Sequence, residues 1–495
     1  MAYNHGVKIS EVPTSILPPV QVEAAIPFVV GTAPINMTDP TNVNKPVICY
    51  SYDEAVAAFG FVPAKRCETS GLDGFRFTLC EATYSQFALF GVAPVIFVNV
   101  LDPTKHKKTA ETVSITLDAK TGQAVVPEAG ILPDSVTLTP SELSPYVKGV
   151  DFDLHFDDDG NLVVASLTDE GGDFKCTTGT SITFAAEKLD PTMVTKDDII
   201  GGVTVEGKKS GLELIGECFP RFRVVPGLIV APMYSADPEV AAVMSSKAEN
   251  INEHFRAIAL IDAPTDSSVN SYSKVVEWKT NNNVVDPTQV VCWPMLSLSG
   301  TAFQMSTQLM GLIGQVDSDN DDTPYVSPSN KNFEMTAAVL TDGTEVWLGP
   351  ENAAYLNGQG VVTALNFIGG WKCWGNRTAC YPSVTDPKDA FISVRRMFDW
   401  IGNTLVQTFW QRVDAPLNRR QIDTIVDSAN IWLNGLAARQ YILGGRVEFL
   451  ESENPTTDLM DGIARFHVYV TPPSPNREIS FTLEYDVNYL STLFE

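Results

Sequence analysis

The stretch that decides the fold class spans residues 225–264 and reads VPGLIVAPMYSADPEVAAVMSSKAENINEHFRAIALIDAP. It begins and ends with short apolar runs that are typical of buried strands. Between them, Asp237 and Pro238 mark the start of a helix, because aspartate caps helix N-termini and proline fits the first turn. Strand, helix and strand at this spacing predict a parallel βαβ unit and hence an α/β sheet.

The same alternation occurs nearer the start of the chain. Apolar runs at 26–33 and 93–103 predict buried strands, and residues 53–60 and 71–91 predict helices. A segment of different composition separates this part from residues 225–264. We therefore expect one α/β domain in two parts, 21–101 and 198–365.

The intervening segment, 102–197, is acidic and has short alternating strand patterns. Its residues 111–190 contain 15 Asp and Glu against 4 Lys, and turn signals such as DDDGN at 157–161 separate the apolar pieces. Short strands at regular spacing are typical of a β-sandwich. The pattern predicts an inserted sandwich domain with a solvated acidic surface.

Residues 366–475 form a further α+β block. Apolar residues recur at helical spacing from Phe391 to Phe409, and a second helical pattern starts near Asn418. Strand patterns follow at 444–450 and 464–470. The block is expected to be a separate domain of two helices and a small sheet.

Both ends of the chain have the pattern of strands. In the C-terminal segment, 476–495, Ile479, Phe481, Leu483 and Tyr485 alternate with polar residues behind a proline-rich tether. In the N-terminal segment, 1–20, Val7 and Ile9 alternate with polar residues. A strand needs partners, and a stiff tether lets it reach another subunit. We expect both segments to be arms.

Composition limits the classes of function. The 495 residues carry a formal net charge of −26, which argues against nucleic acid as a direct partner because phosphates repel such a field. We expect no membrane insertion, because no apolar run approaches the roughly 18 residues that a spanning helix needs. The eight cysteines are scattered, which indicates buried thiols in a reducing compartment.

Motifs for catalysis, metals and cofactors are weak. Residues 202–208, GVTVEGK, fit part of a phosphate-binding loop, but Lys209 stands where Ser or Thr is required, so an exposed hairpin is the better interpretation. Residues 317–322, DSDNDD, lack the glycine and glutamate of a calcium loop. No G-x-S-x-G or H-E-x-x-H motif is present. We expect no enzyme activity and no cofactor or metal.

One block differs in charge from the rest of the chain. Residues 371–448 contain ten Lys and Arg against seven Asp and Glu, a net charge of +3, so the remainder carries −29. Internal salt bridges are the plain explanation. The alternative is a docking surface for an acidic protein.

Long motifs in this block resemble contractile tail sheath proteins of phages and phage-tail-like bacteriocins. They include YLNGQGVVTALNFIGGWKCWGNRTACYP at 355–382, RRMFDWIGNTLVQTFWQRVDAPLNRRQIDTIVDSANIWLNGLAARQYILGGRVEF at 395–449 and NPTTDLMDGIARFHVYVTPPSPNREISFTLEYD at 454–486. The resemblance continues upstream and covers nearly the whole chain. It implies a subtilisin-like α/β domain interrupted by a β-sandwich and followed by a C-terminal assembly domain with terminal arms. The label describes topology and not protease activity.

The resemblance also implies a function. Such a subunit polymerises as a helix around an inner tube through exchanged terminal strands, and contraction drives the tube through a target envelope. Its partners would be further copies of itself, the inner tail tube protein, and baseplate and tail terminator proteins. Its place would be a virion tail or phage-tail-like particle assembled in the bacterial host cytoplasm. The alternatives are a hydrolase on the α/β domain and a non-contractile assembly protein.

A sheath must hold its tube before firing and slide past it afterwards, so we expect a weak, mostly electrostatic contact. The expected partner surface is an acidic ridge on the tube protein. The candidate tube-docking residues are Arg395, Arg396, Arg412, Arg419 and Arg420.

Overall fold

The computed structural model describes residues 23–140 and 144–493. The predicted N-terminal arm, with Val7 and Ile9, lies outside these residues. The α-helices of the described part are α1 Tyr52–Phe59, α2 Thr78–Thr83, α3 Lys196–Ile200, α4 Cys218–Phe222, α5 Pro238–Glu249, α6 Tyr272–Asn281, α7 Met305–Ser318, α8 Pro350–Asn357, α9 Pro387–Ala390, α10 Ile392–Phe409, α11 Arg419–Ala438 and α12 Thr456–Met460.

The strands of the same residues, in chain order, are β1 Pro27–Gly31, β2 Val47–Cys49, β3 Lys65–Arg66, β4 Asp73–Gly74, β5 Val95–Asn99, β6 Lys107–Thr109, β7 Val113–Thr116, β8 Gln123–Ala129, β9 Thr137–Pro140, β10 Phe152–Phe156, β11 Asn161–Ser166, β12 Ser181–Ala185 and β13 Glu187–Leu189. They continue with β14 Gly202–Val203, β15 Lys209–Ser210, β16 Leu228–Val230, β17 Ile258–Asp262, β18 Gln289–Cys292, β19 Met295–Leu298, β20 Thr301–Phe303, β21 Ala337–Val339, β22 Val361–Asn366, β23 Trp371–Trp374, β24 Gly444–Glu448 and β25 His467–Thr471.

The main sheet has eight strands in the order β2-β5-β1-β16-β17-β18-β22-β23. The six inner strands are parallel, and β2 and β23 run antiparallel at the two edges. All residues of β1, β5, β16 and β17 are buried, as expected for parallel strands covered on both faces. The βαβ unit predicted at 225–264 is β16, α5 and β17, and Asp237 caps α5 through the backbone N–H of Glu239.

One predicted helix is shorter than its pattern. Residues 71–91 were expected to be helical throughout, but α2 begins at Thr78 and continues as a π-helical turn over Tyr84–Leu89. Before it, Asp73–Gly74 pairs with β3 and meets β20 in a second, five-stranded sheet. Because Asp73–Gly74 pairs with strands elsewhere in the chain, this short piece is a strand and not part of the helix.

The acidic segment has its own hydrophobic core. Two three-stranded antiparallel sheets, β10-β11-β8 and β7-β12-β9, enclose a cluster that includes Leu117, Leu138, Phe152, Leu162 and Phe184. The strands at its entry and exit, β6 and β13, pair with each other. The beginning and the end of the inserted segment therefore lie side by side where they join the α/β part.

The last block packs two amphipathic helices against a hairpin. Trp400 of α10 contacts Trp432 of α11 at a ring-centroid distance of 5.6 Å. The strand pair β24–β25 packs on α11. There the Asn430 side-chain amide donates a hydrogen bond to the Val447 carbonyl oxygen, and its oxygen accepts one from the Val447 N–H. Of the predicted strands, 444–450 is observed as Gly444–Glu448, and 464–470 is observed later, as His467–Thr471.

Candidate assembly surfaces

The sheet β24–β25 has only two strands. Its two strands pair with each other in antiparallel register, from Gly444 opposite Thr471 to Glu448 opposite His467. Among the described residues neither strand has a second partner. On β24 the Asn430 side chain of α11 already bonds the N–H and C=O groups of Val447. The outer edge of β25 therefore remains as the edge that can accept a further strand.

An apolar groove runs beside this hairpin. We call it the C-terminal groove. It has a volume of about 680 Å³ and lies between α10, α11 and the helix-facing side of the hairpin. Its walls are formed mostly by apolar side chains, of which Val413 and Leu417 are exposed, together with a few polar and charged ones. The lining residues are Leu405, Phe409, Arg412, Val413, Asp414, Ala415, Leu417, Gln421, Ile422, Ile425, Ala429, Val447, Asp461, Gly462, Ala464, Phe466 and Val468.

The segment after β25 does not cover that groove with its own apolar residues. Residues 472–486 have no regular secondary structure, and Ile479, Phe481, Leu483 and Tyr485 are 67–96% exposed. The terminal 3₁₀ turns, Val487–Leu493, also present large apolar side chains to solvent. These four alternating apolar residues form no strand within their own subunit. The described part of that subunit therefore does not contain the partner strand that the alternation predicts.

Two of the candidate docking arginines are buried. The Arg395 and Arg396 side chains form ion pairs inside the subunit, Arg395 with Asp389 and Asp399 and Arg396 with Asp317. Arg396 also donates a hydrogen bond to the carbonyl oxygen of Ala24. Their assignment to a docking face was wrong, because both guanidinium groups point into the protein and their charge is neutralised there.

The other three candidates are exposed or half-buried. Arg419 and Arg420 are exposed on the first turn of α11, and Arg419 pairs with Asp423 one turn further along. Arg412 instead lines the C-terminal groove. Its Nε atom is buried and has no hydrogen-bond partner among the described residues. The structure thus separates Arg412 from the pair on α11.

No family model matches the chain. It is 29% identical to the tail sheath protein of Burkholderia phage BcepMu, in an alignment that covers 99% of this chain and 98% of that protein. It is also 25% identical to the tail sheath protein of Escherichia phage P2, over 60% of this chain and 73% of that protein.

The chain is a homologue of phage tail sheath proteins. Solved structures agree in fold. The sheath complex of an extracellular contractile injection system, PVC, in its contracted state superimposes with a TM-score of 0.57 at 13% identity, covering 99% of both chains. The helical sheath of the anti-feeding prophage in its contracted state gives 0.54 at 14% identity, covering 98% of this chain and all of the other.

The remaining motifs of this sheath homologue have structural roles. Residues 202–210 form the small hairpin β14–β15, with Val205 fully exposed near its tip. In the acidic run 317–322, Asp317 is paired with Arg396 and Asp321 accepts a hydrogen bond from the Tyr441 hydroxyl. The described residues contain no group of His, Cys, Asp and Glu that could hold a metal ion, and none of their helices is both long and apolar enough to cross a bilayer.

The groove is the feature that sequence patterns missed. Leu405, Phe409, Ile422 and Ile425 have helical spacing, which predicts core positions. In the structure all four are only partly buried, because the two-stranded sheet is too narrow to cover them. The sequence did contain one signal for the groove. The block has two long amphipathic helices but only two strands of its own, which are too few to cover both apolar helix faces.

Proposed function

We propose that this sheath homologue is the structural subunit of a contractile tail, polymerising as a helix around an inner tube and acting without catalysis. The observation that carries the proposal is an incomplete sheet beside an uncovered strand-like segment. The sheet β24–β25 has only two strands, and residues 478–486 present four alternating apolar side chains to solvent. The homology to tail sheath proteins over 99% of the chain supports the same function.

Strand exchange explains how such a subunit assembles. The chain has two segments with strand-like sequence at its ends and a sheet of only two strands, so each subunit can donate and receive strands. Main-chain hydrogen bonds at the edge supply binding energy, and alternate side chains supply specificity. Donation from copy to copy does not close on itself, so it propagates as a helix. Arms that stay paired would hold neighbouring subunits together while the helix shortens and widens.

The proposed tube-docking residues are Arg419 and Arg420. They occupy the first turn of α11, where no acidic residue is present, although the helix macrodipole makes cations unfavourable at an N-terminus. Because the helix macrodipole does not favour two cations at this position, the placement favours a role toward an outside partner. An acidic ridge on the inner tube protein fits that charge, and the baseplate and tail terminator proteins are the further proposed partners. Assembly is proposed to occur in the bacterial host cytoplasm.

Truncation after Pro475 tests the arm. The shortened chain is expected to remain folded and soluble, because residues 476–493 contribute no buried apolar side chain to the described core. It is expected not to form tubes. Negative-stain microscopy and sedimentation measure assembly, and circular dichroism measures folding. A matched full-length control replaces Ser480 and Thr482 by Ala, which leaves the apolar face unchanged and should still polymerise. Normal tubes from the truncated chain would contradict the proposal.

A further inference from the structure

Arg377, in the segment between β23 and α9, has a guanidinium group that two aromatic rings hold in place. Its Cζ atom lies over the Tyr381 ring, 4.3 Å from the centroid, and over the Phe391 ring, 3.7 Å from the centroid. The backbone of Phe391 pairs with that of Arg377 in an antiparallel bridge. The Tyr381 carbonyl oxygen accepts a hydrogen bond of 3.4 Å from the buried Lys279 side chain. Both rings therefore have fixed positions, and they orient the guanidinium group.

The same contacts leave the N–H groups of Arg377 without acceptors. Aromatic stacking covers the faces of a planar guanidinium group, whereas its five N–H donors point outward in the plane. Among residues 23–140 and 144–493, no oxygen accepts a hydrogen bond from this group, although the side chain is half-buried. Burial lowers the pKa of Arg377, and the neighbouring cation Arg477 acts in the same direction. A negatively charged acceptor would offset both effects.

A second stacked arginine of this chain shows the completed arrangement. Arg446 lies over the Tyr469 ring at 3.9 Å from the centroid, and its Nε atom donates a hydrogen bond of 2.9 Å to the Glu448 carboxylate. Arg377 has two rings and no carboxylate. An acidic side chain is therefore the group that would complete the contact at Arg377.

We propose, on the basis of the self-assembly above, that Arg377 binds an aspartate or glutamate side chain of a second copy of this chain. The chain has 60 Asp and Glu against 34 Lys and Arg, so another copy offers many carboxylates. The position also favours a second copy. Arg477, at the start of the C-terminal arm, lies near enough to act electrostatically on Arg377, and the arm leads away to another subunit. The contact joins two subunit bodies directly, in addition to the exchanged arms.

Polymerisation of the full-length chain without tube protein tests the contact. Arg377→Met keeps an apolar stem against both rings and removes the charge. It is expected to raise the critical concentration for polymerisation about ten- to a hundredfold, the range for a lost hydrogen bond to a charged group. It should also make that concentration less sensitive to salt, because a screened charge pair is gone. Arg439→Met, at the exposed C-terminal end of α11, is the matched control and should polymerise like the unaltered chain.

Zero-length crosslinking identifies the partner group. Arg377→Lys keeps the positive charge and supplies an amine, which a carbodiimide joins to a carboxylate in contact with it. Tubes are grown from equal amounts of isotope-labelled and unlabelled Arg377→Lys chains. Mass spectrometry is expected to show crosslinked peptide pairs with one labelled and one unlabelled member, which only a contact between two copies can form.

The outcomes separate this contact from the arm exchange. Loss of tubes on truncation after Pro475, with an unchanged threshold and salt dependence for Arg377→Met, would overturn the contact and leave the arm exchange standing. Tubes that survive truncation but are lost in folded Arg377→Met would support the contact and contradict the arm exchange. Crosslinks confined to one chain, for example to Glu478 beside Arg477, would overturn the contact. So would a loss confined to co-assembly with the tube, which would assign Arg377 to the tube face. If circular dichroism shows that Arg377→Met does not fold, the crosslinks of Arg377→Lys decide.

Discussion

The buried ion pair between Arg396 and Asp317 offers a quantitative test of how the C-terminal block is attached to the α/β part. The pair joins α10 to the C-terminal end of α7, with an Nη1–Oδ1 distance of 3.0 Å, and the two side chains are 3% and 2% exposed. Burial raises the pKa of Asp317, although the neighbouring Arg396 acts in the opposite direction. Desolvation is therefore the dominant influence on this carboxyl group.

Removal of one partner leaves the other buried and unpaired. Arg396→Met or Asp317→Leu alone is therefore expected to lower the free energy of unfolding by about 3–5 kcal/mol. The Arg396→Met change also frees the Ala24 carbonyl oxygen, which adds about 1 kcal/mol. The double variant removes both charges and is expected to be less destabilised than either single variant, because no unpaired charge remains.

Urea unfolding of the arm-truncated chain, which should avoid polymerisation, measures these differences through circular dichroism. The exposed pair Arg419–Asp423 supplies the control: Arg419→Met should change the free energy of unfolding by no more than about 0.5 kcal/mol. The reasoning is refuted if the single variants cost less than about 1 kcal/mol, or if the double variant costs the sum of the two.

Three further predictions concern the thiols, the pH dependence and the tube. Cys67 is the one exposed cysteine of the eight, and hydrogen bonds, of which that from the backbone N–H of Ser70 is the largest, lower its pKa. Intact-mass analysis after treatment with iodoacetamide should therefore show one adduct, and the Cys67→Ser variant should show none. Burial raises the pKa of Glu81 to about 8, well above the roughly 4.3 of an unfolded chain, so its stabilising contribution is full below pH 4 and is lost as the pH rises through 8. Glu81→Gln should remove this decline, by up to about 1.4 kcal/mol per pH unit in urea unfolding. Reversal of Arg419 and Arg420 to Glu should spare tubes of sheath alone and weaken salt-sensitive co-assembly with the tube protein; unchanged co-assembly would place the docking face elsewhere.

Local signals in the sequence determined much of this protein. Continuous apolar runs identified the strands of the parallel sheet, because such strands are buried on both faces. Asp237 and Pro238 marked the start of α5, because capping acts within a few residues. Alternation at 464–470 identified β25, and the same alternation at 478–486 identified a segment suited to a strand, though not its partner.

Only the tertiary structure decided which charged side chains and which apolar helix faces are exposed to solvent. Arg395 and Arg419 look alike in a helical pattern, but the first is buried between Asp389 and Asp399 while the second is exposed. Arg396 meets an aspartate 79 residues earlier in the chain. The C-terminal groove likewise exists because two helices meet a sheet of only two strands. Ion pairing and burial depend on contacts between distant segments, and a periodic pattern records which side of a helix is apolar but not what covers it.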